Sequence, residues 1–447
     1  MRPAEVRMEQ MPKAAAGKTS VRQPGLVLTD HVFDVPLDHK APDGERIQLY
    51  AREAVATSRA GDDLPWLVFL QGGPGSAAPR PVGRAHWLDR VLDDYRVLLL
   101  DQRGTGRSTP ATRQTLPLRG TPEEQADYLA HFRADAIVRD CELVRAQVTG
   151  GRPWSVLGQS FGGFCAVSYL SYAPEGLAEV LITGGLPGLD ADAETVYRAA
   201  YPRMERKTLA HYERYPRDEA AARRIAEHLA DREEVLADGT LLTPEAFQQL
   251  GILLGTGDGS HRLHYLLESA FVPTAAGPRL SDAFGEQAAA VLSHAANPLY
   301  ALLHEATYAQ DGRATHWAAE RVRSEFPQFD RHFETGEPFL FTGETVHPWM
   351  LRTHPALRPL RRTAELLAER EGWGPLYDPA QLARNEVPVA AAIYHDDLYV
   401  DTADSLRTAR AIRGLRTWVT DEFEHDGVRT GGGAVADRLL RLVRDEA

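Results

Sequence analysis

The stretch that decides the fold is Trp154-Ser155-Val156-Leu157-Gly158-Gln159-Ser160-Phe161-Gly162-Gly163-Phe164. A short apolar run ends here in a Gly-x-Ser-x-Gly pattern, and the residues that follow are typical of the start of a buried helix. Strand, tight turn and helix in this order form a setting that holds a nucleophilic serine in a strained backbone conformation. We expect glycine at 158 and 162 because a Cβ there would collide with the neighbouring strand or helix. The pattern alone also fits an ordinary glycine-rich turn, so the rest of the chain has to decide.

Strands and helices alternate on both sides of this turn. The sequence predicts strands at 31–38, 46–56, 64–70, 96–100, 179–183, 387–393 and 416–420, and helices at 121–148 and 434–445. This alternation predicts an α/β protein with a mostly parallel central sheet. In such a sheet the functional loops lie at the carboxyl ends of the strands, which is where Gly72-Gly73, Asp101 and Ser160 fall.

The 447 residues allow one large domain with an insertion or two domains. Residues 1–28 are predicted to be a mobile tail. Residues 29–189 and 376–447 are predicted to form the two parts of an α/β core. The segment 190–375 is rich in Ala, Arg and Glu at helical spacing, and it predicts an inserted helical cap.

Composition excludes several classes of protein. The 50 basic and 63 acidic residues give a net charge of -13, which argues against nucleic acid or an anionic membrane as a partner. No window is long and apolar enough to span a bilayer, and the N-terminal residues lack the apolar run of a secretory signal. Two cysteines cannot build a disulfide framework or a zinc cluster. We therefore expect a cytoplasmic protein without a metal.

A serine nucleophile needs a base, and the base needs a carboxylate to orient it. Asp397 follows the predicted strand 387–393, and His425 follows the strand that ends at 420. The order serine, acid, histidine, each after a strand, is that of the α/β-hydrolase fold, and it predicts a catalytic triad of Ser160, Asp397 and His425. Singly, His425 also fits an exposed loop histidine and Asp397 a turn or helix cap.

The backbone N–H groups of Gly73 and Phe161 are predicted to form the oxyanion hole. Gly73 follows the strand whose loop supplies the second donor in this fold, and Phe161 opens the helix after the serine. The alternative for Gly73 is a simple turn before Pro74.

Three motifs together carry a resemblance to a known family. They are Gln71-Gly72-Gly73-Pro74-Gly75, Asp101-Gln102-Arg103-Gly104-Thr105-Gly106-Arg107-Ser108 and Gly158-Gln159-Ser160-Phe161-Gly162-Gly163. In this order they resemble the prolyl aminopeptidase (proline iminopeptidase) family of serine peptidases. Gln71 stands where many smaller members have His, so the chain is similar to the larger form. The resemblance implies an α/β-hydrolase fold with a helical cap. It also implies release of an N-terminal residue, preferably proline, from peptides with a free N-terminus, without metal or organic cofactor.

An aminopeptidase has to hold an ammonium group beside the scissile carbonyl, and a desolvated cation needs a charged partner. Family members use acidic cap residues in this way, and the best matches here are Glu305 and Glu344. Each also fits a solvated surface glutamate. The cap aromatics Trp317, Phe341 and Trp349 fit either a proline pocket or the core of the cap.

Other features of the motifs favour structural roles. Asp101-Gln102-Arg103 is predicted to brace the loops around the serine, and Arg107 to form a salt bridge. The glycine-rich stretch 255–259 lacks the Lys-Ser/Thr ending of a phosphate loop, so no nucleotide site is expected. The alternative function is an esterase or amidase for small hydrophobic acyl groups on the same triad. A requirement for a free amine separates the two activities.

Overall fold

The computed structural model describes residues 19–330 and 336–446. In these ranges the chain forms thirteen strands: β1 (Thr19–Gln23), β2 (Leu26–Pro36), β3 (Arg46–Ala56), β4 (Trp66–Leu70), β5 (Arg96–Leu100), β6 (Trp154–Gln159), β7 (Leu177–Thr183), β8 (Glu234–Val235), β9 (Leu241–Leu242), β10 (Phe271–Val272), β11 (Arg279–Leu280), β12 (Val389–Tyr394) and β13 (Leu415–Thr420). Nine of them make one sheet in the order β1-β2-β3-β5-β4-β6-β7-β12-β13.

The pairing of the strands changes once across the sheet, from antiparallel to parallel. The pairs β1/β2, β2/β3 and β3/β5 are antiparallel, and the five remaining pairs, from β5/β4 to β12/β13, are parallel. The prediction of a mostly parallel sheet is therefore confirmed. The loops after β4, β5, β6, β7, β12 and β13 all leave the same edge of the parallel part, which is the edge where the functional residues were expected.

Helices cover both faces of the sheet. The helices are α1 (His86–Val91), α2 (Pro122–Leu129), α3 (Ala134–Thr149), α4 (Phe161–Tyr172), α5 (Ala193–Arg214), α6 (Asp218–Asp231), α7 (Pro244–Gln248), α8 (Gly259–Glu268), α9 (Asp282–Leu292), α10 (Pro298–Leu303), α11 (Ala318–Arg323), α12 (Met350–Thr353), α13 (Arg361–Glu369), α14 (Pro379–Leu382), α15 (Thr402–Ala411), α16 (Gly427–Thr430) and α17 (Ala434–Val443). Side chains of α1 and α17 join one apolar cluster, and those of α2, α3 and α4 join the other. Within the described ranges, no helix combines the length and the apolar character that crossing a membrane requires.

The helix α4 behind Ser160 is buried along almost its whole length. It packs against α3, and each of the two helices contributes a cysteine to the core between them. Cys141 on α3 and Cys165 on α4 are both free thiols that are fully buried.

The single helix predicted at 121–148 is two helices, α2 and α3. A local signal starts α2, since Thr121 and Glu124 form a capping box around Pro122 at the first helical position. The break after α2 has a tertiary cause. Arg133 is buried before α3, where its guanidinium donates hydrogen bonds to the carbonyls of Ala309 and Gly374 in the cap region. Those contacts lie far along the chain, so helical periodicity alone does not indicate them.

The prediction of a mobile tail over 1–28 is wrong from residue 19 onward, while residues 1–18 lie outside the described ranges. Strand β1 pairs antiparallel with β2 across a turn at Gly25, whose φ is +76°. Leu26 and Leu28 of β2 are buried in the core, and this burial pins the start of the second strand.

Between β7 and β12 the chain is mainly helical and includes α5 to α14. It also contains two short antiparallel hairpins, β8/β9 and β10/β11, which the sequence analysis did not predict. Phe247, Phe339 and Phe341 pack their rings 5.0–5.4 Å apart in a core that belongs to this segment. Phe341 therefore belongs to the core of this helical segment. The division into a core at 29–189 and 376–447 and a cap at 190–375 remains our proposal.

Candidate active site

Ser160 lies in the turn between β6 and α4 with φ +55° and ψ −124°, a left-handed conformation that is strained for a residue with a Cβ. Its backbone N–H donates to the carbonyl of Thr183 at the end of β7, with a distance of 3.0 Å. A Cβ on Gly158 would collide with the backbone of Gly162, and one on Gly162 would collide with the carbonyl of Leu70. The turn is therefore as tight as the sequence predicts, and it leaves the serine side chain at the carboxyl edge of the sheet.

The structure brings Asp397 and His425 into direct contact. His425 Nδ1 donates to Asp397 Oδ2 over 2.7 Å, and both side chains are buried. The other carboxylate oxygen, Oδ1, accepts the backbone N–H groups of Tyr399 and Val400 at 2.8 and 3.1 Å. These two N–H groups hold the Asp397 carboxylate in place. The carboxylate in turn fixes the His425 tautomer in which Nδ1 carries the proton and Nε2 can accept one.

The end of β7 lies between the serine and the histidine. Thr183 accepts the hydrogen bond from Ser160, and a Cβ on the next residue, Gly184, would lie 3.1 Å from His425 Nδ1. Gly184 therefore lets the imidazole pack directly on the strand end that also anchors the serine. Three side chains that are far apart in the sequence converge at one edge of the sheet.

The pKa of His425 is raised above its usual value by its surroundings. Burial acts in the opposite direction and lowers the pKa, but the charge and hydrogen bond of Asp397 and the charge of Glu344 outweigh it. Arg429 lowers the pKa slightly in turn. The imidazolium form that appears during proton transfer is thereby stabilised.

The glycine stretch 255–259 supports the histidine loop. The carbonyl of Gly255 accepts the backbone N–H of His425 at 3.2 Å, and a Cβ on Gly255 would collide with the ring of Tyr399. Asp426 accepts the N–H of Gly257 at 3.0 Å. The sequence excluded a phosphate loop here but indicated no other role for the stretch. Its hydrogen-bond partners lie about 170 residues later in the chain, where local patterns give no information about them.

The two residues predicted to form the oxyanion hole lie in segments next to Ser160. A Cβ on Gly72 would be 2.6 Å from Ser160 Cβ, so the loop after β4 approaches the serine closely. The next residue, Gly73, has φ +134°, which favours glycine. Phe161 is the first residue of α4, and its N–H has no acceptor within the helix.

The motif after β5 braces these loops, as predicted. Asp101 is fully buried and accepts the backbone N–H groups of Ala78 and Arg107 at 3.0 and 2.9 Å. Gln102 donates from Nε2 to the carbonyl of Gln71 at 3.0 Å, and so holds the strand end that leads to Gly72.

The two arginines of the motif are structural. Arg103 donates through Nε and Nη2 to Asp140 at 2.7 and 2.6 Å, and both side chains are almost fully buried. Arg107 forms the predicted salt bridge, with a distance of 3.0 Å to Asp30.

Glu344 lies on a cap loop and is half-buried. Burial raises the pKa values of Tyr300 and Tyr399, and the charge of Glu344 is the next cause in both cases. The same charge acts on His425. The Glu344 carboxylate therefore lies close enough to Tyr300, Tyr399 and His425 for its charge to act on all three.

Glu305 is 7% exposed, just after α10. Its Oε1 accepts the N–H of Ala319 at 3.0 Å near the start of α11. Its Oε2 is buried and accepts no hydrogen bond from the residues that the structure describes. Burial raises the pKa of Glu305, while the N–H groups of Ala319 and Ala318 and the Thr315 hydroxyl beside the carboxylate lower it. The Tyr197 hydroxyl, whose pKa is raised by burial and then by Glu305 and Glu344, lies near both carboxylates.

Asn297 joins the cap to the loop of the predicted oxyanion hole. Its Nδ2 donates to the carbonyl of Pro74 at 3.1 Å and to Ser76 Oγ at 3.3 Å, and its Oδ1 accepts the N–H of Tyr300 as the N-cap of α10. A Cβ on Gly75 would collide with this side chain. Sequence analysis gave Asn297 no role, although Asn followed by Pro is a signal for a helix start.

Trp317 and Trp349 are the other two aromatic candidates for a proline pocket, and among the described residues neither contacts Ser160. Trp349 stacks on His347 with a centroid distance of 5.7 Å and lines a cavity of about 430 Å³ with Glu320 and Arg323. Trp317 has φ +56° just before α11. Within residues 19–330 and 336–446, no three His, Cys, Asp or Glu side chains cluster as a metal site requires.

The chain is similar in sequence to known proteins over most of its length. Residues 65–342 match the alpha/beta hydrolase fold family. A proline iminopeptidase of Aeromonas sobria is 49% identical over 422 residues, which cover 94% of this chain and 97% of the relative. A proline iminopeptidase of Aspergillus aculeatus is 39% identical over 426 residues, or 92% and 93% of the two chains. A probable proline iminopeptidase of Streptomyces coelicolor is 32% identical over 32% of this chain and 41% of its own.

Proposed function

The chain belongs to the proline iminopeptidase family of α/β-hydrolases, and from this membership we propose that it is a serine aminopeptidase that releases an N-terminal residue, preferably proline, from peptides. The observation that carries the proposal is the 2.7 Å hydrogen bond between His425 and Asp397, at the strand end that also anchors Ser160. A buried carboxylate and imidazole beside a strained serine are the parts that acyl transfer needs.

In the proposed reaction, His425 Nε2 takes the proton of the Ser160 hydroxyl as Ser160 attacks the carbonyl of the N-terminal residue. The N–H groups of Gly73 and Phe161 hold the negative oxygen of the tetrahedral intermediate. His425 then gives its proton to the leaving amine, and an acyl-enzyme remains on Ser160. Water repeats the sequence and releases the free amino acid.

Asp397 has two tasks in this cycle. It holds the imidazole with Nδ1 protonated, and its charge offsets the imidazolium that forms in each half of the reaction. The two N–H groups on its other oxygen hold the carboxylate in place.

We propose that the ammonium of the substrate binds between Glu344 and Glu305. Glu344 faces the histidine, and the buried Oε2 of Glu305 offers an acceptor without a protein partner among the described residues. A buried carboxylate oxygen without a donor is unfavourable, and a substrate ammonium would remove that penalty. Substrates with a free N-terminus are selected because a blocked amine carries no charge. The cytoplasmic location and the lack of a nucleic-acid partner stay predictions from the sequence.

The test compares proline-naphthylamide with its N-acetyl form on the wild type and on Ser160→Ala. We expect the wild type to turn over only the free amine, and Ser160→Ala to fold normally and lose nearly all turnover. Labelling by a fluorophosphonate should require Ser160. Wild-type rates in Ser160→Ala would refute the assignment, and equal turnover of the N-acetyl substrate would favour the esterase or amidase.

A further inference from the structure

Lys207 on the cap helix α5 is largely buried, with 9% of its side chain exposed. Its ammonium lies 2.6 and 2.7 Å from the two carboxylate oxygens of Glu424 and 3.2 Å from Asp396 Oδ2. These distances make it a charge-assisted clamp on two separate loops.

The two carboxylates that Lys207 binds stand next to catalytic residues. Asp396 directly precedes Asp397 on the loop after β12, and Glu424 directly precedes His425 on the loop after β13. One cation on the cap therefore ties together the loops that carry the acid and the base. Each loop is anchored within one residue of the atom that has to be positioned.

The Lys207 ammonium offsets the negative charges of Glu424, Asp396 and Asp397, which lie close together. Burial raises the pKa of Glu424, the hydrogen bond and charge of Lys207 lower it, and Asp396 and Asp397 raise it again. Without the ammonium, Glu424 and Asp396 would repel each other across the gap that Lys207 fills. The loops would then separate, and His425 would leave the position set by Asp397.

We propose that Lys207 is a positioning residue of the catalytic triad, which holds the Asp397 and His425 loops in register from the cap. The proposal rests on the proposed triad but not on the preference for proline. Lys207 contacts neither the serine nor the amine-binding carboxylates in any observed interaction, so it acts through the loops.

Lys207 is not among the groups whose charge sets the pKa of His425, so it acts on the position of the ring. The charged groups that face this imidazole are Asp397, Glu344 and Arg429, and the ring of Tyr399 packs edge-on at 4.8 Å. If loss of Lys207 lets His425 move away from Asp397, the imidazole loses the carboxylate that raises its pKa, and the pKa falls.

The test uses Lys207→Met, Lys207→Arg, Glu424→Gln and the double variant Lys207→Met/Glu424→Gln. Arg206→Met is the matched control, because Arg206 is the neighbouring cation on α5, lies 3.5 Å from Asp396 and is largely exposed. Steady-state kinetics with proline-naphthylamide and p-nitrophenyl acetate are measured from pH 5 to 9, and thermal unfolding checks that each variant folds.

We expect Lys207→Met to lower kcat about tenfold with little change in KM, because a misplaced base slows chemistry rather than binding. The acid limb of kcat/KM should move to lower pH in Lys207→Met, because His425 loses contact with the carboxylate that raises its pKa, and should stay in place in Arg206→Met. The double variant should recover part of kcat, since the unpaired carboxylate is gone. Lys207→Arg should retain most activity, and Arg206→Met should stay within about twofold of the wild type.

Unchanged kcat in a folded Lys207→Met, equal losses in Lys207→Met and Arg206→Met, or an acid limb that moves to higher pH in Lys207→Met would each overturn the proposal. Failure of the proposed function is a separate result, in which the wild type hydrolyses p-nitrophenyl acetate but not proline-naphthylamide. The Lys207 comparison still holds in that case, because the ester reports on the same triad.

Discussion

Replacing Glu344 by Gln removes one negative charge and keeps the size of the side chain. If Glu344 binds the substrate ammonium, the variant loses a charge-assisted hydrogen bond, which contributes about 1.5–3 kcal/mol. Since 1.36 kcal/mol corresponds to a tenfold change, kcat/KM for proline-naphthylamide should fall by about 10-fold to 150-fold. The rate with p-nitrophenyl acetate, which has no amine, should change far less.

The same substitution should change the pH profile. Glu344 raises the pKa of His425, and the histidine acts as a base only when it is neutral. Without this charge the pKa of His425 falls, so the imidazole stays neutral to lower pH. The acid limb of kcat/KM should therefore move to lower pH in Glu344→Gln.

The assay is steady-state hydrolysis of both substrates from pH 5 to 9, with Glu422→Gln as the matched control. Glu422 is an exposed glutamate on the histidine loop, so its loss tests the change of net charge alone. An unchanged kcat/KM for proline-naphthylamide, or an acid limb that moves to higher pH, would refute the placement of Glu344 at the amine.

Three further substitutions test the supports of the site. Gly72→Ala puts a Cβ 2.6 Å from Ser160 Cβ, so fluorophosphonate labelling should slow at least about tenfold, and wild-type labelling would contradict the close approach. Asn297→Asp keeps the helix-capping oxygen but loses the amide donor, so kcat should fall about tenfold with thermal stability nearly kept; a pure loss of stability would argue for a capping role alone. Asp140→Asn leaves Arg103 buried beside a neutral partner, so urea unfolding should show a free energy of unfolding lower by about 3 kcal/mol, and a loss below about 1 kcal/mol would contradict it.

The parts of the fold that follow local rules could be predicted from the sequence. The Gly-x-Ser-x-Gly turn needs small residues at fixed offsets, and its strained serine at φ +55° follows from that spacing. Asp397 and His425 could be placed because parallel strands bring their carboxyl ends to one edge, and both residues directly follow such strands. The structure brings the two into contact across 28 residues of chain.

The contacts between cap and core could not be predicted, because they depend on how distant segments dock. Lys207 stands 217 residues before its partner Glu424, and Asn297 stands 223 residues after Pro74. Helical periodicity indicates which face of α5 is buried, but not which charges it meets there. The break between α2 and α3 could not be predicted for the same reason, since Arg133 donates hydrogen bonds to the distant carbonyls of Ala309 and Gly374.

The reactivity of the two core cysteines shows whether the core between α3 and α4 is folded. Burial raises the pKa of both thiols, so neither Cys141 nor Cys165 offers a thiolate to a disulfide reagent while the core is closed. Cys165 lies on α4, about a turn and a half beyond Ser160, which precedes the first residue of this helix. The rate at which such a reagent releases its chromophore would therefore measure how fast the core around α4 unfolds. Loss of the structure that holds Ser160 could be followed during heating in this way, without adding a label to the chain.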